Sequence, residues 1–556
     1  MESVEPVTRT SSNLLTSAPT LDVESPTEMS TSENLPPRDY KFWLVFLGMG
    51  FATMITGLEL SAVSTALPVI VDELKGSTTF VWVGSAYTLS ATAFIPLSGG
   101  LAQIFGRKMV ILAALLLTAI GSALCGAATS MNFLIAGRTV QGIGGGAITS
   151  ITAIIISDLV PLRERGIFNG LIGIAWSVSS GAGPLIGGGL AQGGQWRWLF
   201  YLNIPICGVS ALLMVLFLRV RTPPGTVSEK IRKVDWVGNA LVIASTASCV
   251  IALTWSGIQH PWNSVPVLVP LILGLLGLIV FIAYEAKIAK HPLVPFIILT
   301  KLTSLSGYVQ TFVMPVVMLG IIYYMPVYFQ ACKDLSPIGA GVDQLAVALV
   351  LAPVGIISGV SVNVTHKYRP QLWVSWVFVI LGTGLLITLG ADTLRGHAIG
   401  YLVICAIGLG ILVTTTYFPV LAPLPVSQHA LALSFFMFLR NFAQVWGVTI
   451  GGAVLQNELR KRMPAAFQAQ FPEGTAVAYA TIPLIPHLKD PLKSEVRAAF
   501  ADSLKVVWEV MVGIAGLGLI SCVGMKGLPL HTDVDKRWAL ENGKSDTKEG
   551  IQMNDS

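Results

Sequence analysis

Three ionisable side chains stand inside otherwise apolar stretches of this 556-residue chain: Glu59 in GLELSAVSTALP, Arg138 in GRTVQGIGGGA and Arg440 in FLRNFAQVWG. A charge at a bilayer centre costs about 2.5–3.5 kcal/mol on insertion scales, so each needs a reason. A carboxyl group in a dry cavity holds a proton and releases it where water reaches it, because desolvation disfavours the charged form. Glu59 is therefore either a proton-coupling acid or half of a permanent structural ion pair. Arg138 tunes that acid if their segments meet; otherwise it is a structural arginine bonded to backbone carbonyls. Gln141 lies one turn from Arg138 on the same helical face, and Gly142 and Gly145 are expected to keep that region open. Arg440, with Asn441 and Gln444 beside it, is either structural or part of a binding cavity.

Two further sets of residues suit transport chemistry. Trp82, Tyr87, Gln141, Gln310, Tyr323, Tyr324, Gln344, Tyr417, Arg440, Asn441 and Gln444 are candidates to line a large, mostly apolar cavity for an amphipathic or aromatic ligand; ordinary helix packing is the rival reading. Gly99, Gly106, Arg107, Lys108, Asp158, Arg163 and Arg165 form a charged and glycine-bearing cluster at the ends of apolar stretches. Such a cluster either latches two helices in one conformation or is a solvated basic loop.

The elements that must position these residues are membrane helices. The chain is 53% hydrophobic and 12% charged, against about 25% charged residues in a soluble domain. A span needs about 20 apolar residues. Fourteen stretches qualify: 42–70, 80–104, 109–129, 133–159, 167–191, 199–218, 236–256, 265–284, 304–330, 341–363, 372–390, 399–421, 429–455 and 506–526. The expected fold is an all-α polytopic membrane protein, with six-helix bundles over 41–220 and 301–526 joined by 221–300, which holds spans 7 and 8. An even count puts both termini on one side. The basic residues of the short loops, Arg107, Lys108, Arg163, Arg165 and Lys367 among them, lie with the N-terminus, so that side is cytosolic. The segments 1–40 and 527–556 read as polar cytosolic tails, the first without the apolar core of a signal peptide. A long outer loop, 456–505, contains the amphipathic stretch SEVRAAFADSLKVVWEV. It is expected to lie in the interface and anchor span 14 through Trp508, or else to act as a lid. The sequon at Asn363 falls at the inner end of span 10 and is expected to be unused.

Span 5 is unusual. Its stretch GIAWSVSSGAGPLIGGGL, 173–190, places Gly173, Ser177, Gly181, Pro184 and Gly188 at helical steps of three and four, a face nearly bare of side chains. Gly183 and Gly187 add a GxxxG pair for close helix contact, and Pro184 permits a bend. A weak internal repeat aligns GGLAQIFGRK with SGVSVNVTHKYR, Gly99 with Gly359 and Arg107 with Lys367, at an offset of eight spans.

Several classes are excluded. No GxxxxGK[ST] loop is present, so the chain carries no ATP-driven pump. The span 4 glycines lack the preceding strand of a dinucleotide site. The seven histidines form no HExxH or paired motif, so no metal, cofactor or catalytic residue is expected. The modest basic balance does not suggest nucleic acid. Five of the six cysteines fall in spans as small apolar residues.

These motifs resemble the major facilitator superfamily, specifically its fungal fourteen-span drug:proton antiporters. LELSAVSTALP (58–68) is similar to the family's span 1 signature, with Glu59 where Asp is usual. GGLAQIFGRK (99–108) is similar to the loop signature between spans 2 and 3, with Gln103 where an acid is usual. LIAGRTVQGIGGGA (134–147) is similar to the span 4 signature, and 173–190 to the span 5 antiporter signature. Span 12 reads AIGLGILV, so the second half has no counterpart of Arg138. The resemblance covers about 40–526. It implies proton-coupled export of small amphipathic compounds (secondary metabolites, toxins, glycolipids or drugs) by alternating access. Partners would be the bilayer, protons and the substrate, with the proton gradient as energy source. It further implies a monomer in the plasma membrane, with a vacuolar or vesicle membrane as the other address. The alternatives are a proton-linked importer, for example of siderophores, and a non-transporting receptor or sensor.

Overall fold

The computed structural model describes residues 39–75, 81–220, 223–256, 260–468 and 482–530. Most of both expected tails and the middle of the expected outer loop lie outside them. Among the described residues the chain is helical, with one isolated bridge between Ser256 and His260. Helices are the natural form for such a sequence, since apolar surroundings leave backbone N–H and C=O groups no partner but each other.

Fourteen long helices follow in order: α1 (Tyr40–Leu74), α2 (Val81–Phe105), α3 (Arg107–Gly126), α4 (Met131–Leu159), α5 (Arg165–Gln192), α6 (Asn203–Phe217), α7 (Trp236–Trp255), α8 (Val265–Lys287), α9 (Leu302–Lys333), α10 (Pro337–Thr365), α11 (Arg369–Leu386), α12 (Arg395–Thr415), α13 (His429–Arg462) and α14 (Leu492–Ser521). Capping fixes several starts. Asp39 Oδ1 accepts from Tyr40 N at 2.7 Å, and Ser336 Oγ accepts from Gly339 N at 3.1 Å ahead of the Pro337 that opens α10. Gly106, at φ 92°, makes the tight turn into α3.

Thirteen of the described helices are long and apolar enough to cross a membrane. The exception falls at the expected span 11: α11 opens on Arg-Pro-Gln and runs only 18 residues, so its apolar stretch is short. The last helix corrects a second expectation. The amphipathic stretch 494–510 is neither lid nor interfacial anchor but the first half of α14. Its apolar face, with Val496, Phe500, Leu504 and Trp508, is buried. As a whole α14 packs against α9, α11 and α13, and burial of that face removes apolar surface from water.

The helices form two groups. α1 packs on α5 and α6, and α4 on α2 and α3; in the second group α10 packs on α12, α12 on α11, and α9 on α13 and α14. The groups meet through α5 against α10, and α13 against α2 and α4. α7 lies across this seam, touching α2 and α13, with α8 outside it. α4 and α9 are the most enclosed spans, 72% and 78% buried, whereas α8 is 17% buried and offers its surface to lipid.

Candidate functional site

Glu59 and Arg138 are brought together. Both are buried, and Arg138 Nη1 bonds to the Glu59 carboxylate. Glu59 also accepts from Gln141 Nε2 at 2.6 Å and from Asn203 Nδ2. Arg138 donates Nε to the Val83 carbonyl at 2.9 Å and lies 4.5 Å over the Tyr87 ring. Gln141 Nε2 reaches Ser122 Oγ at 2.7 Å. Five helices thus converge on one ion pair: α1 supplies the acid, α4 the guanidinium and its amide neighbour, and α2, α3 and α6 the rest. Burying two ions costs several kcal/mol each, and such a pair survives because nearly every polar group finds a bond. Asn203 was not among the expected residues. Its signal in the sequence was a lone amide at the start of apolar span 6.

The span 4 glycines are close contacts rather than the open space expected, although Gly145 and Gly146 also border the cavity between the two groups. A Cβ at Gly142 would meet Ser90 and the Tyr87 carbonyl, one at Gly145 the Tyr87 hydroxyl, and one at Gly146 the Ala91 carbonyl. They are the line along which α2 presses on α4, and this contact holds Tyr87 against Arg138.

Tyr87 also lines a cavity of about 240 Å³ between the two groups. Of the expected lining residues it contains Tyr87, Tyr417, Arg440, Asn441 and Gln444. It adds Thr53, Thr56, Thr149, Asn169, Trp176, Met314, Met318 and Phe436, most of which sequence reading passed over as ordinary span residues. Six expected residues fall elsewhere. Trp82 meets Trp255 of α7 edge-on at 6.3 Å. Gln141 belongs to the ion-pair cluster. Gln310 accepts from Trp376 Nε1 at 3.2 Å and donates to Ser306. Tyr323 on α9 is partly exposed and lies outside the lining of this cavity. The Tyr324 hydroxyl donates to the Val448 carbonyl and its ring packs on Gly451. Gln344 lies on α10 outside the lining. Helical polarity alone cannot tell an inward face from a helix-packing face, so the sequence does not separate these six from the lining residues.

At the end bearing the arginine-rich loops, here the basic end, the expected cluster divides into three contacts. Arg107 Nε pairs with Asp158 Oδ2 at 2.8 Å, joining α3 to α4. Arg163 Nε donates to Asn363 Oδ1 at 2.9 Å, reaching α10 in the other group. Arg165 donates to the carbonyls of Val160 and Ser157 at 2.8 and 2.6 Å, and Nη1 lies 3.2 Å from His429 Nδ1 at the head of α13. Lys108 instead reaches the Val215 carbonyl at 2.8 Å. Glycines complete the seam: a Cβ at Gly359 would strike the Gly166 backbone, and one at Gly99 would strike Ser434. These contacts follow the offset of the repeat, for α2 meets α13 as α10 meets α5.

The bare face proposed for α5 is redistributed. Gly183 and Gly187 are the close contacts, against Ser61, Ala62 and Thr65 of α1. Gly173 and Gly188 face open space, and Gly181 meets only Leu345 Cδ2 at 3.3 Å. Gly173 borders the cavity, so its missing side chain leaves room for a ligand. Pro184 lies within α5.

Comparison with known proteins agrees with this architecture. A family model described as Major Facilitator Superfamily matches residues 49–448. The chain is 36% identical to "Efflux pump FUS6" of Gibberella moniliformis, over 94% of this chain and 95% of that one. It is 37% identical to "MFS-type efflux pump LUC4" of a Fusarium species, over 92% of each. It is 36% identical to "Acurin A biosynthesis cluster MFS-type transporter" of Aspergillus aculeatus, over 92% and 94%. Among solved structures, the human organic anion transporter MFSD10 superposes with TM-score 0.55 at 14% identity, covering 86% of this chain and all of that one. The proton:xylose symporter XylE does so with TM-score 0.55 at 13% identity, covering 88% and 98%. At such identities these two speak for the fold alone.

Proposed function

Because the chain belongs to the major facilitator superfamily and is a multi-pass membrane transporter rather than an enzyme, we propose that it is a proton-coupled antiporter that exports small amphipathic compounds by alternating access. The observation that carries the reading is that one aromatic residue, Tyr87, both lines the cavity and lies against the ion pair's Arg138. Protonating Glu59 neutralises it and leaves Arg138 a buried, unmatched cation. Removing one partner of a buried pair costs about 3–5 kcal/mol. A shift of about 5.5 kcal/mol inverts a two-state equilibrium from 1:99 to 99:1. One proton on Glu59 is therefore of the right size to change which conformation is preferred. Tyr87, which lies against Arg138 and lines the cavity, transmits that change to a bound compound.

The positive-inside reading makes the basic end cytosolic. The seam of Arg163 with Asn363, Arg165 with His429 and Gly166 with Gly359 then seals the cavity from the cytosol. Fourteen spans with both termini cytosolic remain part of this proposal, as does export, which the names of the relatives favour. The test uses everted membrane vesicles from cells expressing the full chain. Substrate, supplied as a panel of amphipathic dyes, is expected to accumulate when a proton gradient is imposed. Glu59→Gln is expected to abolish that accumulation while leaving the protein in the membrane. Uptake that ignores both the gradient and the substitution would end the coupling claim.

A further inference from the structure

We propose that the compound this cavity takes carries an anionic group, a carboxylate or its equivalent, and that Arg440 pairs with it. This rests on the reading of the cavity as the transport site. Arg440 lies 11 residues into α13, about 16 Å from the helix start at about 1.5 Å per residue. That is near the middle of an apolar layer about 30 Å thick. The other arginines near the interior are engaged: Arg107 with Asp158, Arg138 with Glu59, Arg163 with Asn363, Arg165 with two carbonyls and His429. Among the described residues nothing pairs with the Arg440 guanidinium. Its side chain instead borders the cavity, whose lining holds two arginines and neither Asp nor Glu.

An unmatched guanidinium in low dielectric is costly, and its cheapest relief is an anion presented in the plane of its N–H groups. The surroundings define the rest of the compound. Asn441 and Gln444 supply amides beside the cation, while Met314, Met318 and Phe436 supply an apolar wall. The fitting ligand is a small organic acid with an apolar or aromatic body. A monoanion leaving in exchange for one entering proton moves two charges across the membrane per cycle, whereas a neutral compound moves one.

The test is equilibrium binding of three matched radiolabelled probes to the purified full-length protein: phenylbutyrate, its methyl ester and phenylbutyl-trimethylammonium. The wild type is expected to bind the acid about tenfold or more tighter than the ester, a usual size for a close charge pair. Arg440→Gln is expected to erase that preference, with its thermal midpoint in detergent unchanged or raised to report that the variant is folded. Arg440→Lys is expected to keep most of the preference, because the charge remains. Equal or undetectable binding of acid and ester by the wild type overturns the inference. So does a preference that survives in Arg440→Gln, or tightest binding of the cation. Acid preference without gradient-driven transport would instead count against the exporter reading and leave the binding assignment standing.

Discussion

Each half of the molecule carries one arginine deep in a span, and the two are treated in opposite ways. Arg138 is closed in by Glu59, Gln141, the Val83 carbonyl and the faces of Tyr87 and Phe200. Arg440 faces a cavity with two amides nearby and no acid. The same side chain is fully partnered in one bundle and, among the described residues, unpartnered in the other. A charge inside a membrane is thus informative only together with its partners. On the proposed reading, the first half holds the coupling acid and the second the group that meets the cargo.

The sharpest way to break this comparison is a pair of substitutions to Met. Arg138→Met strands Glu59 and is expected to cost about 3–5 kcal/mol, seen as a large fall in thermal midpoint in detergent. Arg440→Met removes an unpaired charge and is expected to leave the midpoint unchanged or raised. Equal losses in the two variants would show that Arg440 has a structural partner after all. Next in size is the contrast between two faces of α5. Gly183→Leu drives a side chain into Ser61 and Ala62 of α1. It is expected to cost about 1–3 kcal/mol and to stop transport without preventing insertion. Gly188→Leu, which meets nothing within 4 Å, is expected to transport normally, as measured by vesicle uptake and surface expression. The smallest effect lies at the end of α1 away from the basic loops. The Arg197 guanidinium and the Trp196 N–H hold the Glu73 carboxyl below the usual carboxylate range. Its contribution is therefore present above the unfolded value near pH 4.3 and lost as pH falls through the lower folded value. Arg197→Ala is expected to lower stability slightly more at pH 7 than well below pH 4, the difference being about 0.2–1 kcal/mol for so exposed a pair, while its bond to the Ala128 carbonyl and its stacking on Trp196 are lost at every pH.

The spans and their order were legible because apolar length is written directly in the chain, and the positions of Glu59 and Arg138 were legible because charge in such a run is conspicuous. That the two meet depends on how α1 and α4 are set side by side, which no local pattern states. The cavity was half legible. Tyr417, Asn441 and Gln444 proved to face it, but Tyr323 and Gln310 carry the same polarity and point elsewhere. Threonines such as Thr53 and Thr149 gave no signal, since a hydroxyl on a helix satisfies itself on its own backbone, as Thr53 does on the Met49 carbonyl at 2.9 Å. The amphipathic start of α14 misled for a similar reason: an apolar stripe reads alike whether lipid or protein covers it.

The meeting of Gly166 with Gly359 has a thermodynamic consequence. Where two backbones touch, no side chain has to change rotamer for the surfaces to part, so little of the cost of separation there is conformational. The work lies mainly in wetting the apolar flanks, such as Ile356 against Gly170. Exposure of that kind has near-zero enthalpy at room temperature and a positive heat-capacity change. On the proposed alternating-access reading, the equilibrium between closed and open forms should trace a curved van't Hoff plot, with the closed form losing ground on cooling as well as on strong heating.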